Sequence, residues 1–370
     1  MARHARTRRR QSVATKRSAV FSVLGILGEI LLTLAAVCAL YIVWQLWWTG
    51  VESSQSQLQQ RQSVSWSAPA SKNGSVSIAS AQAGDPPVQP SSANEGDLVA
   101  ELYVPRFGSA WQRNIVEGTS NEQLAKHGLG HYHETQMPGQ LGNFAVAGHR
   151  SGYGEPLAHV DELQEGDAIV VRTKDYWYVY HYTSHTIVLP NQTDVVAANP
   201  ENPSASATKR MITLTTCEPR YTSATHRWIS WGEFDYWAKV SDGVPKEIAG
   251  STSSAAATFS DTNPSVLDRL TSLAPVVMWL LIAYLVISLA AIIAWRYPVL
   301  RDIRNGVRPR PEVSLYGWLT RHQPGIRVVR LLLMLLLVLA AAAALFQWVF
   351  PWLATNVPYL QLMSNYVSVE

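Results

Sequence analysis

A thiol, an imidazole and a guanidinium stand in this sequence where short apolar runs begin or end. Cys217 closes the run 211–216 (MITLTT), His149 follows the run 143–147 within Gly148-His149-Arg150, and Arg227 opens the next run. Runs rich in Val, Ile and Thr predict strands, and a reactive group at a strand end is presented rather than packed away. The chain has two cysteines, and the other, Cys38, lies in a long apolar segment near the N-terminus, so Cys217 has no disulfide partner in its own domain. A lone thiol is either a small apolar filler or a nucleophile. At neutral pH it is mostly protonated, and Cys with His is the minimum set for an activated thiolate.

Those runs belong to one compact domain, residues 97–246, whose signals are mostly β. Strands are predicted over 98–104, 143–147, 167–173, 176–183, 211–216, 227–231 and 236–240, with short helices over 121–127 and 156–163. Pattern alone gives an all-β sandwich or barrel. The rest of the chain reads differently. Hydrophobic residues make up 47% of the 370, with 14 Trp, which for a chain with such polar stretches implies membrane spans. The formal net charge of +3 implies no nucleic-acid partner; what matters is where the arginines lie.

Residues 1–19 form a basic head, and residues 20–48 an apolar run whose only charge is Glu29, longer than the roughly 20 residues that cross a bilayer. Trp44, Trp47 and Trp48 suit an interfacial belt better than a signal-peptide cleavage site, so the run reads as a retained anchor. Residues 49–96 are rich in Ser, Gln, Ala and Pro without a period, predicting a flexible extracellular linker with a reach of about 35 to 40 Å. A second linker is expected over 247–272, then a span over 273–295, an arginine-rich cytoplasmic loop over 296–327, a third span over 328–351 and an extracellular tail over 352–370. The positive-inside rule makes this topology consistent, with the compact domain outside and the protein multi-pass in the cell membrane.

Thr213-Leu214-Thr215-Thr216-Cys217, the upstream Gly148-His149-Arg150, and an arginine ten residues past the cysteine followed by Trp228 and Ile229 together resemble the signature of sortases. The resemblance covers roughly 97–244, and its stretch from Gly118 to Asp167 is similar to the actinobacterial class E pattern. It implies a closed sortase-type β-barrel, usually eight-stranded, with short helices, here joined to three transmembrane α-helices. It also implies roles: Cys217 as nucleophile, His149 as acid and base, and Arg227 as stabiliser of the oxyanion. Arg220 is a competing arginine, but Arg227 matches the family position. The implied reaction cleaves a C-terminal LPxTG- or LAxTG-type sorting signal after Thr and joins the thioacyl intermediate to an amine. Secreted proteins with sorting signals and a lipid II-like cell-wall precursor are the implied partners, and no cofactor is required.

Thr215, Thr216 and Ala147 are expected substrate contacts, the alternative being that they only fill a barrel wall. The stretch 190–205 corresponds to the region that contacts the sorting motif in the family. His131 and His133 alternate as metal ligands do, yet no third ligand at suitable spacing accompanies them, so no metal is expected and His131 reads as a supporting or exposed residue. Asp161, Glu162, Glu165 and Asp167 read as a solvated turn rather than a calcium site. Two rivals stand beside the main reading. A pilin-polymerising class C enzyme usually carries a lid motif of the Asp-Pro-Trp kind, where this chain has only Asp85-Pro86-Pro87. An inert sortase-fold scaffold is opposed by the intact Cys217, His149 and Arg227.

Overall fold

A computed structural model of the chain describes residues 2–72, 75–221, 224–249, 272–307 and 313–364. In chain order the helices are α1 (Ala2–Val43), α2 (Thr49–Ser63), α3 (Asn121–His127), α4 (Ala274–Trp295), α5 (Pro298–Arg304), α6 (Leu315–Arg321), α7 (Arg327–Ala344), α8 (Phe350–Asn356) and α9 (Pro358–Ser364). The strands are β1 (Ser71–Lys72), β2 (Ser75–Val76), β3 (Leu98–Tyr103), β4 (Gln112–Glu117), β5 (Leu129–His131), β6 (Gly142–Gly148), β7 (Ala168–Arg172), β8 (Tyr176–Val188), β9 (Arg210–Glu218) and β10 (His226–Lys239). Contacts divide the chain into two units, Met1–Trp44 with Ser272–Trp352 and Gln45–Thr271 with Leu353–Glu370.

In the second unit, eight strands close into a barrel in the order β10-β8-β7-β3-β4-β5-β6-β9. Neighbours run antiparallel except β4 with β5 and β6 with β9. Alternation along each strand explains the interior: Phe144 and Val146 of β6 and Ile212 and Leu214 of β9 point inward and join Leu102, Ile115, Leu129 and Tyr180 in one core. Each such side chain contributes about 1.5–3 kcal/mol by leaving water. A second apolar cluster lies on the other face of β7 and β8, where Val170, Trp177 and Val179 pack with Ala79, Ala238 and Val244. Covered on both faces, these strands read as near-continuous apolar runs.

That second cluster corrects one expectation. Residues 49–96 are not a free linker in the described chain. Ala79 N donates to Val244 O at 2.8 Å, Gln82 N to Trp237 O at 2.9 Å, and Tyr178 Oη to Pro87 O at 2.7 Å. The first part of the stretch is helix α2, held by amides instead of an apolar face. Asn114 N donates to Gln57 Oε1 at 3.0 Å, Asn114 Nδ2 to Gln57 O at 3.0 Å, and Arg61 Nη1 to Asn114 Oδ1 at 2.6 Å. A reading that weighs apolar periodicity cannot see such docking, because buried polar groups satisfied by one another leave no hydrophobic signature.

Other differences are local. Strands β4 and β5 are too polar or too short to show in the pattern, the stretch 156–163 holds only a 3₁₀ turn at Val160–Glu162, and the two final predicted strands merge into the bulged β10. Most of the expected linker 247–272 lies outside the described residues.

Three helical stretches, Phe21–Ser63, Ala274–Trp295 and Arg327–Asn356, are long and apolar enough to cross a membrane. Within the first unit α4 packs on α7. Glu29, the lone acid of the first apolar run, accepts from Ser314 Oγ at 2.6 Å and Leu315 N at 2.6 Å, capping α6.

Candidate active site

β9 and β10 bring the thiol and the guanidinium together. Their antiparallel register sets Arg227 directly opposite Cys217, and such partners have Cβ atoms about 4.5–5.5 Å apart on one face of the sheet. β6 runs parallel to β9 with Ala147 beside Thr215. β6 ends at Gly148, so His149 leaves it at the same end of the barrel at which Cys217 lies on β9, and Thr216 Oγ1 donates to Gly148 O at 2.7 Å to hold the two strand ends together. Gly148 leaves room at this crossing, since a Cβ on it would lie 2.4 Å from Leu129 Cδ2 on the paired strand and force that side chain to move.

The His149 ring is half-buried, but its Nε2 is covered and has no hydrogen-bond partner among the described residues. Burial pushes the imidazole down to about 4, so it is neutral at physiological pH. The Tyr153 ring lies against it, tilted by 33°, with centroids 4.6 Å apart. Arg227 Nη1 donates to His226 O at 3.1 Å, and no carboxylate pairs with it among the described residues. Arg220 is engaged elsewhere, with Nη2 2.6 Å from Glu155 Oε2. Arg150, 6% exposed, pairs with Glu218 and with Asp161 at 3.3 Å and lies over Trp228, tying the residue after His149 to the residue after Cys217.

Alternation sorts the expected contacts. Thr213, Thr215 and Cys217 share the outer face of β9 with Ala145 and Ala147 of β6. Thr216 alternates with these residues, on the side of Leu214, and its hydroxyl donates to Gly148 O. Asn143 Nδ2 donates to Ala197 O at 3.1 Å and Trp231 Nε1 to Val195 O at 3.3 Å, fastening the 190–205 stretch beside this strip.

Sequence reasoning missed Tyr132. Burial raises its phenol, Thr215 and Arg227 oppose the rise and Cys217 adds to it, so Tyr132 stands near these three residues. Its neighbours explain the placement. His131 Nδ1 and His133 Nδ1 lie 2.8 and 2.9 Å from the two oxygens of the buried Glu117, turning Tyr132 to the opposite side of the chain. Burial alone would raise Glu117, but the two histidines outweigh it and hold the carboxyl low. His131 is therefore fully buried, not exposed. The signal was the alternation of His131, Tyr132 and His133. Asp161, Glu162 and Asp167 each face a separate side chain, Arg150, His159 and Arg106. A cavity of about 410 Å³ lies between α2 and the stretches 107–113 and 154–159, and neither Cys217, His149 nor Arg227 lines it.

Residues 102–235 match the family model described as the sortase domain. The chain is 34% identical over 249 residues to sortase SrtE1 of Streptomyces coelicolor, which covers 65% of each protein, so it spans slightly under two thirds of that relative's length. It is 31% identical over 236 residues to sortase SrtE2 of the same organism, covering 60% of this chain and 87% of the relative. Among solved structures, the SrtA sortase from Actinomyces oris shares 39% identity over 45% of this chain and 96% of its own, with a TM-score of 0.44.

Proposed function

The chain belongs to the sortase family, and we propose that it is a membrane-anchored cysteine transpeptidase that cleaves a C-terminal LPxTG- or LAxTG-type sorting signal after Thr and joins the acyl group to a cell-wall precursor amine. The observation that carries this reading is the placement of Cys217 opposite Arg227, with His149 directly after the end of the strand beside Cys217's own.

The chemistry follows from the resting protonation. A neutral His149 accepts the thiol proton as Cys217 Sγ attacks the Thr carbonyl carbon, and Arg227 donates to the oxygen as it becomes negative. Collapse of the tetrahedral intermediate breaks the C–N bond, and the proton held on His149 goes to the leaving amine. The acceptor amine then attacks the thioester, His149 takes its proton, and Cys217 leaves and is reprotonated. Thr215, Ala147 and the 190–205 stretch line the path of the sorting signal on the outer face of the barrel.

The arginines after α4 and the absence of Lys or Arg after residue 330 support a topology with the N-terminus and the 296–327 loop inside and the barrel and C-terminus outside. The similarity to two class E enzymes favours a role in anchoring secreted proteins. The test is the full chain in detergent with LAxTG and LPxTG peptides and a glycine or diaminopimelate-type amine, beside Cys217→Ala. Amine-joined product absent from the variant is the expected result. The reading fails if no peptide yields product or a thioacyl adduct.

A further inference from the structure

The loop after His149 bends through four successive residues of positive φ: Gly152 at 70°, Tyr153 at 53°, Gly154 at 76° and Glu155 at 47°. Two of them are not glycine, and a tyrosine in the left-handed region persists only where its surroundings over-determine it. Here the surroundings are specific. Tyr153 N donates to Thr49 Oγ1 at 3.0 Å, while that hydroxyl donates to Gln45 O at 2.8 Å, so Thr49 is fixed as an acceptor. Arg113 Nη2 donates to Gly154 O at 3.0 Å, and Arg220 holds Glu155 at 2.6 Å. Gly50 of α2 meets Gly154 so closely that a Cβ on Gly50 would lie 2.9 Å from Gly154 N and 3.0 Å from its Cα.

What this loop holds is Tyr153. The side chain is 1% exposed, and its ring covers one face of the His149 imidazole. We propose that Tyr153, fixed from α2 by Thr49 and Gly50, is a positioning residue that sets the orientation of the His149 ring and keeps water from one of its faces. The proposal rests on the reading of His149 as the acid and base. It makes the polar stretch immediately following the first apolar run a part of the catalytic apparatus: a chain cut at residue 97 keeps Cys217, His149, Arg227 and all eight barrel strands but loses Thr49 and Gly50. Misplacing a reacting group by an ångström costs on the order of 100-fold in rate, so a support outside the barrel governs turnover.

The test uses the full chain in detergent, with the peptide and amine assay and with ¹³C-histidine labelling to follow the His149 titration. Arg150 is paired with Glu218 and Asp161 and Arg220 with Glu155, while Arg227 and Cys217 on the adjoining strands are untouched by the substitution, so a titration change on altering Tyr153 reports the ring's own covering. Tyr153→Ala is expected to lower kcat about 10- to 100-fold with the peptide KM changed less than about twofold, and to move the His149 midpoint up from about 4 toward 6.5. Tyr153→Phe is expected to restore most of kcat and the low midpoint. Gly50→Ala and Thr49→Val act from outside the site and should lower kcat in the same direction, which keeps the idea testable if Tyr153→Ala does not fold. Wild-type kcat and midpoint in Tyr153→Ala would overturn the proposal. So would losses in the α2 variants that appear only in thermal stability or in KM. If the wild-type protein makes no product at all, the transpeptidase reading fails, and the titration of Tyr153→Ala against wild type still decides whether Tyr153 positions and covers His149.

Discussion

Cys217 and Arg227 face each other as direct partners in the antiparallel ladder of β9 and β10. A residue pair in such register is held by the strand ladder, so the sheet sets the separation of the two Cβ atoms from which the thiol and the guanidinium extend.

Replacing Arg227 therefore removes the charge while leaving the nucleophile in place. Arg227→Ala is expected to lower kcat about 10²- to 10³-fold, the range seen when one oxyanion donor is lost. Arg227→Lys should recover little, because an ammonium lacks the planar fork. Steady-state kinetics check both, and a loss confined to KM would contradict the assigned role.

Acid should loosen the barrel in two steps of one sign. His149 is held at about 4 by burial, below its ordinary 6.5, so between these values the unfolded chain binds the extra proton and stability falls as pH drops. The Glu117 carboxyl is held below 4.5 by its histidines, so its contribution is present above that value and is lost on further acidification. Denaturant midpoints from pH 7 to pH 4 should fall, and His149→Gln should flatten the upper part of the curve. A flat profile in the unmodified protein would show the imidazole to titrate normally.

The docking of α2 through amides makes a stability prediction. Asn114 is fully buried and bonds Gln57, Gln60 and Arg61, so Asn114→Ala strands several of their polar groups. The change should destabilise the barrel unit by about 1–3 kcal/mol. It should also expose the 45–63 stretch to protease. Unchanged unfolding and proteolysis would mean that α2 is held by other contacts.

Glu117→Ala should act on Tyr132 through His131 and His133. With the carboxylate gone, the fully buried His131 loses its acceptor at 2.8 Å, at about 1–3 kcal/mol. The His131–His133 turn relaxes, and Tyr132 loses its place near Thr215 and Cys217. The expected kinetic sign is a fall in kcat/KM for the peptide, checked against Tyr132→Phe. If the Glu117 variant loses stability but keeps wild-type kcat/KM, the clamp has no bearing on the site.

The sequence by itself determined what could be read along the chain. Cys217 and His149 lie at the ends of alternating runs, Phe144-Ala145-Val146 and Ile212-Thr213-Leu214, whose period of two announces strands with one face in a core. The three apolar stretches and the arginines between them are likewise local in sequence, so they needed no partner to be recognised. What lay beyond sequence depended on contacts between distant residues. Nothing in Gln57 or Asn114 alone marks them as partners, so α2 read as linker until its amides met β4. Thr215 and Thr216 are chemically alike, and only the pleat of β9 sends one to the outer face and the other to Gly148. The Tyr153 ring reaches His149 because Thr49, more than a hundred residues earlier, takes the hydrogen bond of its amide. Periodicity reports which face of an element is apolar, whereas the partner that a buried polar group finds is decided only when the chain closes on itself.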